Sequence, residues 1–266
     1  MTAEAAGTRK ITKVVITRSK KGNAELARKL EALGLEPVSI DTIEFLPPED
    51  WSQVDACLMR LDEFDWLLFT STTGADFFVR RMKALSRVVP WQGKPEVAAV
   101  GERTSSHLQK KGIKVDFVPS TYLTKALVEQ LPRGRGARLL LLRADIGDPQ
   151  VVAELERRGF QVRDLTIYRT ASVAGAWDEA IEPALRGADA IVFASPSAVD
   201  AFITRFESAA TASALTKKLI VACIGPVTAT AARQRGFERI LTAKTYTIES
   251  VVEELVAAAS GGKVDA

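Results

Sequence analysis

The sequence predicts an α/β fold built as two copies of one parallel-sheet unit. Three observations predict it. Short continuous apolar runs alternate with amphipathic stretches that end in glycine. The runs recur along the chain at one spacing. Apolar residues make up 47% and charged residues 26% of 266 positions, which supports packed cores and excludes disorder, collagen and coiled coil.

The elements follow in order. Val14-Val15-Ile16-Thr17 is a short buried-strand pattern. Asn23 is expected to cap the next helix, which carries Leu26, Leu30 and Leu33 and stops at Gly34. Trp66-Leu67-Leu68-Phe69 is a second strand, leading through Thr70–Gly74 into a helix with Phe77, Phe78 and Met82. Val97-Ala98-Ala99-Val100 leads into Gly101 and a helix ending at Gly112. Leu139 to Leu142 leads through Asp145–Pro149 into a helix ending at Gly159. Ala190-Ile191-Val192-Phe193 leads into Ser195-Pro196-Ser197. Ile220 to Ile224 leads into Gly225-Pro226 and a helix ending at Gly236. Such continuous apolar strands fit parallel sheets covered on both faces.

The repeat has a fixed register. Asp65 to Ser71 (DWLLFTS) aligns with Asp189 to Ser195 (DAIVFAS), 124 residues further on. Val97–Gly101 aligns with Val221–Gly225 at the same spacing, as do Thr104 with Thr228, Gly112 with Gly236, and Thr121-Tyr122 with Thr245-Tyr246. Arg18 and Gly34 meet Arg143 and Gly159 at a spacing of 125. Generic βα units explain the apolar matches but not the shared register of the Ser, Thr and Tyr positions.

Composition narrows the chemistry. A net charge of +3 is too balanced for nucleic-acid binding on charge alone. No apolar run approaches the ~20 residues of a membrane helix. The first thirteen residues lack the apolar core of a signal peptide, so a cytoplasmic protein is expected. Two scattered cysteines, Cys57 and Cys223, argue against a zinc site or a disulfide framework. One histidine, His107, excludes chemistry built on several; it reads as a surface or structural side chain.

The carboxyl ends of the strands carry small hydroxyl and glycine residues: Thr17-Arg18-Ser19, Thr70–Gly74, Gly101–Ser106, Ser195–Ser197 and Gly225–Thr230. Ligands of open α/β sheets bind there. Free N–H groups at helix N-termini attract anions, and small residues allow close approach. Two such rims facing each other would form a cleft lined with anion sites. The same residues also serve as ordinary N-caps. None of the loops matches G-x-G-x-x-G or the Walker pattern.

Six motifs then carry a resemblance: Ile16-Thr17-Arg18, Leu68-Phe69-Thr70-Ser71, Val100-Gly101-Glu102-Arg103-Thr104, Ile167-Tyr168-Arg169-Thr170, Phe193-Ala194-Ser195-Pro196-Ser197 and Ile224-Gly225-Pro226-Val227-Thr228. In this order, over about residues 13 to 258, they resemble the uroporphyrinogen-III synthase family. Thr72-Thr73-Gly74 and Ala194 depart from the family pattern.

The resemblance implies two similar α/β domains joined by a two-strand linker, with a cleft between them. One domain would be residues 1–37 with 171–266, the other 47–161, and the linker strands 38–46 and 162–170. The implied reaction closes hydroxymethylbilane, which carries eight carboxylates, with inversion of ring D and loss of water. It implies no metal and no cofactor, a monomer, and a hand-over of substrate from hydroxymethylbilane synthase. Tyr168 is the implied catalytic residue, donating a hydrogen bond or proton to the departing hydroxyl. Thr104 and Thr228 are implied to hold substrate carboxylates or order the cleft. Ser71, Ser195 and the backbone beside Ser197, Gly101 and Gly225 are similar candidates, and Arg18 is placed to pair with a carboxylate. A two-lobed ligand-binding module for an anionic small molecule, without catalysis, is the alternative.

Overall fold

The structure is a computed structural model. It describes residues 11–88, 93–121, 124–132, 136–173, 181–206 and 209–259, the side chains of 209, 210 and 213 excepted. In chain order the elements are β1 (Lys13–Arg18), α1 (Lys20–Glu31), β2 (Glu36–Asp41), β3 (Ile43–Leu46), α2 (Ser52–Leu58), β4 (Trp66–Phe69), α3 (Thr72–Ala84), β5 (Glu96–Ala99), α4 (Glu102–Gln109), α5 (Thr124–Gln130), β6 (Arg138–Ala144), α6 (Gln150–Arg157) and β7 (Gln161–Ser172). They continue as α7 (Ile181–Arg186), β8 (Ala190–Phe193), α8 (Pro196–Ile203), α9 (Ala209–Thr216), β9 (Ile220–Cys223), α10 (Pro226–Gln234), β10 (Ile240–Thr242) and α11 (Ile248–Ala259). No described helix is long and apolar enough to cross a membrane.

The chain forms two compact units, Met1–Glu44 with Ala171–Ala266, and Phe45–Thr170. It passes from one to the other within β3 and within β7. The expected linker 38–46 covers the later part of β2 and β3, and 162–170 lies inside β7.

Each unit holds a five-stranded sheet. The first has the order β10-β9-β8-β1-β2, and the second β5-β4-β6-β7-β3. The ladders of the first sheet are parallel, as are those joining β5, β4, β6 and β7. The duplication holds at the level of register. Trp66 pairs with Leu139 and Glu96, and its counterpart Ala190 pairs with Val14 and Ile220. Arg138 opposite Gln161 repeats Lys13 opposite Glu36. Even the short β10 has a counterpart, because the Ala98–Phe117 bridge stands where Leu241 pairs with Ala222.

The inner strands β1, β4, β6, β8 and β9 are buried on both faces, as continuous apolar runs require. In the second unit Leu67, Phe69, Leu140 and Leu142 point into one core, and Trp66, Leu68, Leu139 and Leu141 into the other. In the first unit Ile191, Phe193 and Val221 face one side, and Val14, Ile16 and Val192 the other, where α11 closes the core with Val251 and Leu255.

One expected cap is corrected. Asn23 does not start α1; Ser19 does, its Oγ accepting from the Gly22 N–H at 3.3 Å. The strand ends at Arg18, so the next residue is already at the N-cap position. Asn23 is buried inside the helix, and its Nδ2 donates to Asp41 Oδ1 at 2.8 Å.

The aspartates before β4 and β8 do the same work in the two units. Asp65 Oδ2 accepts from the Arg138 N–H at 2.9 Å, and Asp189 Oδ2 from the Lys13 N–H at 3.0 Å. The Lys94 ammonium and then the Arg138 N–H hold the Asp65 carboxyl below its usual range. A lowered folded-state pKa contributes stability above the unfolded value, near ~3.9, and loses it as pH falls through the folded value. Asp65→Asn should therefore be less stable than wild type at pH 7. The difference should shrink as pH falls through the lowered folded-state value, as read by thermal melts across the acid range.

Candidate active site

Strand β7 delivers Tyr168 through a bulge. The register on β6 runs Arg143 opposite Thr166, then Ala144 opposite Tyr168, so Ile167 is the extra residue. Strict alternation would send Ile167 and Tyr168 to opposite faces. The bulge re-aims one of them, and both join the same core cluster. Tyr168 is 7% exposed. Its ring stacks on Phe77 of α3, with centroids 5.6 Å apart and planes 18° apart, and meets Phe45 of β3 edge-on at 5.5 Å.

The phenol reaches the carboxyl end of β4, where Ser71 caps α3. Ser71 Oγ accepts from the Gly74 N–H at 2.9 Å and lies 3.1 Å from Tyr168 Oη. Burial raises the phenol above the usual tyrosine range, the Ser71 hydrogen bond pulls it partly back, and the charge of Asp145 adds to the rise. The group is therefore a protonated donor at neutral pH. On the adjacent strand end, Gly101 is the extended N-cap of α4, and Thr104 is buried in the first turn of that helix.

The first unit repeats this rim without the tyrosine. Ser195 caps α8, its Oγ accepting from the Ala198 N–H at 3.2 Å and lying 3.0 Å from the exposed Ser197 hydroxyl. Gly225 caps α10 with φ −175°, against −176° at Gly101, and Thr228 is buried at the position of Thr104. At Gly225 the backbone is extended, so glycine is not needed for its dihedral angles. What constrains the position is space: a Cβ would come within 2.9 Å of Cδ1 of Tyr246, so the 68% exposed ring that lies over it would have to shift. Arg18 folds back along α1, donating to the Gly22 carbonyl at 3.3 Å. Its counterpart Arg143 forms a two-pronged pair with Asp164 at 2.8 and 2.6 Å.

Within one unit Ser71, Gly101 and Thr104 follow the adjacent strands β4 and β5, and Tyr168 reaches Ser71 from β7, with β6 between; in the other, Arg18, Ser195, Ser197, Gly225 and Thr228 stand at the ends of the adjacent strands β1, β8 and β9. Tyr122 lies outside the described residues, so the matched Thr-Tyr pair is seen only in Thr245-Tyr246. Sequence reasoning missed the Phe77–Phe45 clamp, the bulge and Asp145. The tyrosine's neighbours in a strand motif gave no sign of a partner 123 residues away.

His107 is structural, its Nε2 lying 2.8 Å from Asp76 Oδ1 beside Lys111. Among the described residues no three His, Cys, Asp or Glu side chains gather in a way that could hold a metal ion. Burial pushes the Cys223 thiol up to about 12, so it stays protonated and a poor nucleophile. A cavity of about 580 Å³ opens at the amino ends of β6 and β7, beside Cys57, Arg138 and Arg163. It is at the opposite end of the sheet from Tyr168, and its Arg138 is engaged by Glu63 at 3.0 Å. It carries none of the reactive groups.

These features define a class: a duplicated α/β protein presenting hydroxyls and helix N-termini at its strand ends, with one buried, hydrogen-bonded tyrosine among them. The family model for the uroporphyrinogen-III synthase HemD matches residues 24–253. The chain belongs to the uroporphyrinogen-III synthase family. It is 27% identical to the uroporphyrinogen-III synthase of Synechococcus elongatus over 90% of this chain and 92% of the relative. It is 28% identical to the chloroplastic uroporphyrinogen-III synthase of Oryza sativa, over 92% of this chain and 80% of the relative. In fold it is similar to uroporphyrinogen III synthase of Thermus thermophilus, with a TM-score of 0.61 and 21% identity over 93% of this chain and 99% of that one. The non-catalytic ligand-binding alternative gains no support from these relatives.

Proposed function

We propose that this protein closes hydroxymethylbilane to uroporphyrinogen III, inverting ring D and releasing water, with Tyr168 as the proton donor to the departing hydroxyl. Family membership supports the activity. The observation that carries the assignment of Tyr168 is its buried phenol, kept protonated and hydrogen-bonded to Ser71 at a strand end.

Tyr168 Oη gives its proton to the ring-A hydroxymethyl oxygen as the C–O bond breaks. Electrons from the pyrrole nitrogen replace the lost pair and leave an electrophilic, positively charged azafulvenium. Ring D attacks through its substituted α-carbon, the spiro intermediate fragments, and the macrocycle recloses with ring D reversed. The proton lost at the final closure returns to the phenolate. Ser71, Gly101 and Thr104 on one rim, and Arg18, Ser195, Ser197, Gly225 and Thr228 on the other, take substrate carboxylates through hydroxyls, N–H groups and charge. The protein mainly orders the bilane so that the rearranging closure outruns direct closure. Direct closure proceeds without enzyme, so the protein works in the cytoplasm close to hydroxymethylbilane synthase, which supplies the bilane over a short distance.

The test is to incubate the protein with hydroxymethylbilane and separate the product isomers. Type III above type I supports the function; type I alone, at the spontaneous rate, contradicts it. Thr228→Val keeps the side-chain shape and removes the hydroxyl. It should raise KM about 3- to 10-fold and leave kcat within twofold, as for lost uniform binding. A changed kcat with KM untouched would remove Thr228 from carboxylate binding.

A further inference from the structure

The rim around Tyr168 contains a group that does not fit simple anion binding. Asp145, in the loop after β6, is exposed, and no cation pairs with it among the described residues. Its position is nonetheless fixed. Its N–H donates to the Tyr168 carbonyl at 3.2 Å. Its Oδ1 accepts from the Thr170 N–H at 3.0 Å and from the Ile146 N–H at 3.0 Å. Two backbone donors on one oxygen hold the carboxylate across the bulge that turns Tyr168 into place. The other oxygen, Oδ2, has no partner among the described residues. The repeat makes the feature specific to this unit, since 125 residues earlier the position is Lys20, a cation.

A fixed, uncompensated carboxylate repels an octa-acid, so it weakens ground-state binding. It favours whatever positive charge develops beside it, and a preorganised charge costs no reorganisation at that moment. The reaction develops such a charge. When the hydroxymethyl C–O bond breaks, its electron pair leaves with oxygen, which takes the Tyr168 proton and departs as water. The pyrrole nitrogen then shares its lone pair with the methylene carbon and carries the positive charge of an azafulvenium.

We propose that Asp145 is a further catalytic residue, whose carboxylate faces ring A and stabilises the azafulvenium formed as Tyr168 protonates the departing hydroxyl. This rests on the function proposed above. The negative charge also opposes ionisation of the phenol, so Tyr168 remains a donor until the hydroxyl leaves.

Asp145→Asn separates charge from scaffold, because the amide oxygen still accepts from Thr170 and Ile146. Expected is a kcat about tenfold lower with KM for hydroxymethylbilane unchanged or lower, and the same melting temperature. A folded D145N enzyme with kcat within twofold of wild type, or a loss confined to a raised KM, would overturn the role. If D145N melts early, Asp145→Glu decides. Retention of kcat within threefold supports the need for charge, and a loss as large as that of Tyr168→Phe contradicts it. Wild type in the same assay separates the two claims. A wild type forming only type I contradicts the function, whereas an unimpaired D145N beside an active wild type contradicts Asp145 alone.

Discussion

Replacing Tyr168 by phenylalanine is expected to lower kcat at least ~10-fold, and toward the ~10²–10⁴ range if proton donation limits the rate. The variant is a clean one. The ring keeps its stack on Phe77 and its edge contact with Phe45. Ser71 keeps the Gly74 N–H, so the start of α3 is still capped. One buried hydroxyl and one hydrogen bond are lost, a change of about 1 kcal/mol in stability, and circular dichroism should match wild type. Because burial first and the Asp145 charge after it raise the phenol, kcat should show no loss from Tyr168 ionisation until the pH exceeds about 10. A Tyr168→Phe enzyme with full turnover would remove the hydroxyl from the mechanism.

Asp189→Ala should destabilise the first unit by about 3 kcal/mol. The carboxylate is 9% exposed. Its Oδ2 accepts from the Thr12 N–H at 2.9 Å, the Thr12 hydroxyl at 2.9 Å and the Lys13 N–H at 3.0 Å. These bonds fix the start of β1, which lies between β8 and β2 in the sheet. Truncation leaves two backbone donors without their acceptor at a strand that must not slip. Asp189→Asn keeps one acceptor oxygen and should recover part of the loss. Asp65→Ala, at the matching position but with a side chain 34% exposed, should cost less. Denaturant unfolding of the three variants measures the order. Equal losses at positions 65 and 189 would show that burial does not set the cost.

Much of the fold was legible because its physics is local or periodic. Continuous apolar runs such as Leu139–Leu142 can be buried only in a sheet covered on both faces, and the cores show that. The duplication was legible because polar positions recurred with the apolar ones, and Asp65 and Asp189 bind equivalent strand starts, of β6 and β1 respectively. The start of α1 was misread. Asn23 is a good cap by residue type, but Ser19 follows β1 directly, and Asn23 has a tertiary partner in Asp41. The surroundings of Tyr168 were not legible at all. Ile167-Tyr168 looks like any half-buried strand pair, and nothing local marks the extra residue opposite Arg143 and Ala144. Phe45, Phe77 and Asp145 meet the tyrosine only through the sheet order β3-β7-β6-β4. Gly225 carried a signal that residue type alone could not decode, since its reason is the Tyr246 ring lying on it.

The central claim is that the rim holding Tyr168 commits the bilane to ring inversion. The most direct measurement follows both isomers from hydroxymethylbilane, with wild type and the Tyr168→Phe variant at equal concentration beside an enzyme-free control. The predicted result is type III as the main product of wild type, with the variant shifted toward the type I of the control. A wild type indistinguishable from the control, or a variant forming type III as fast as wild type, would contradict it.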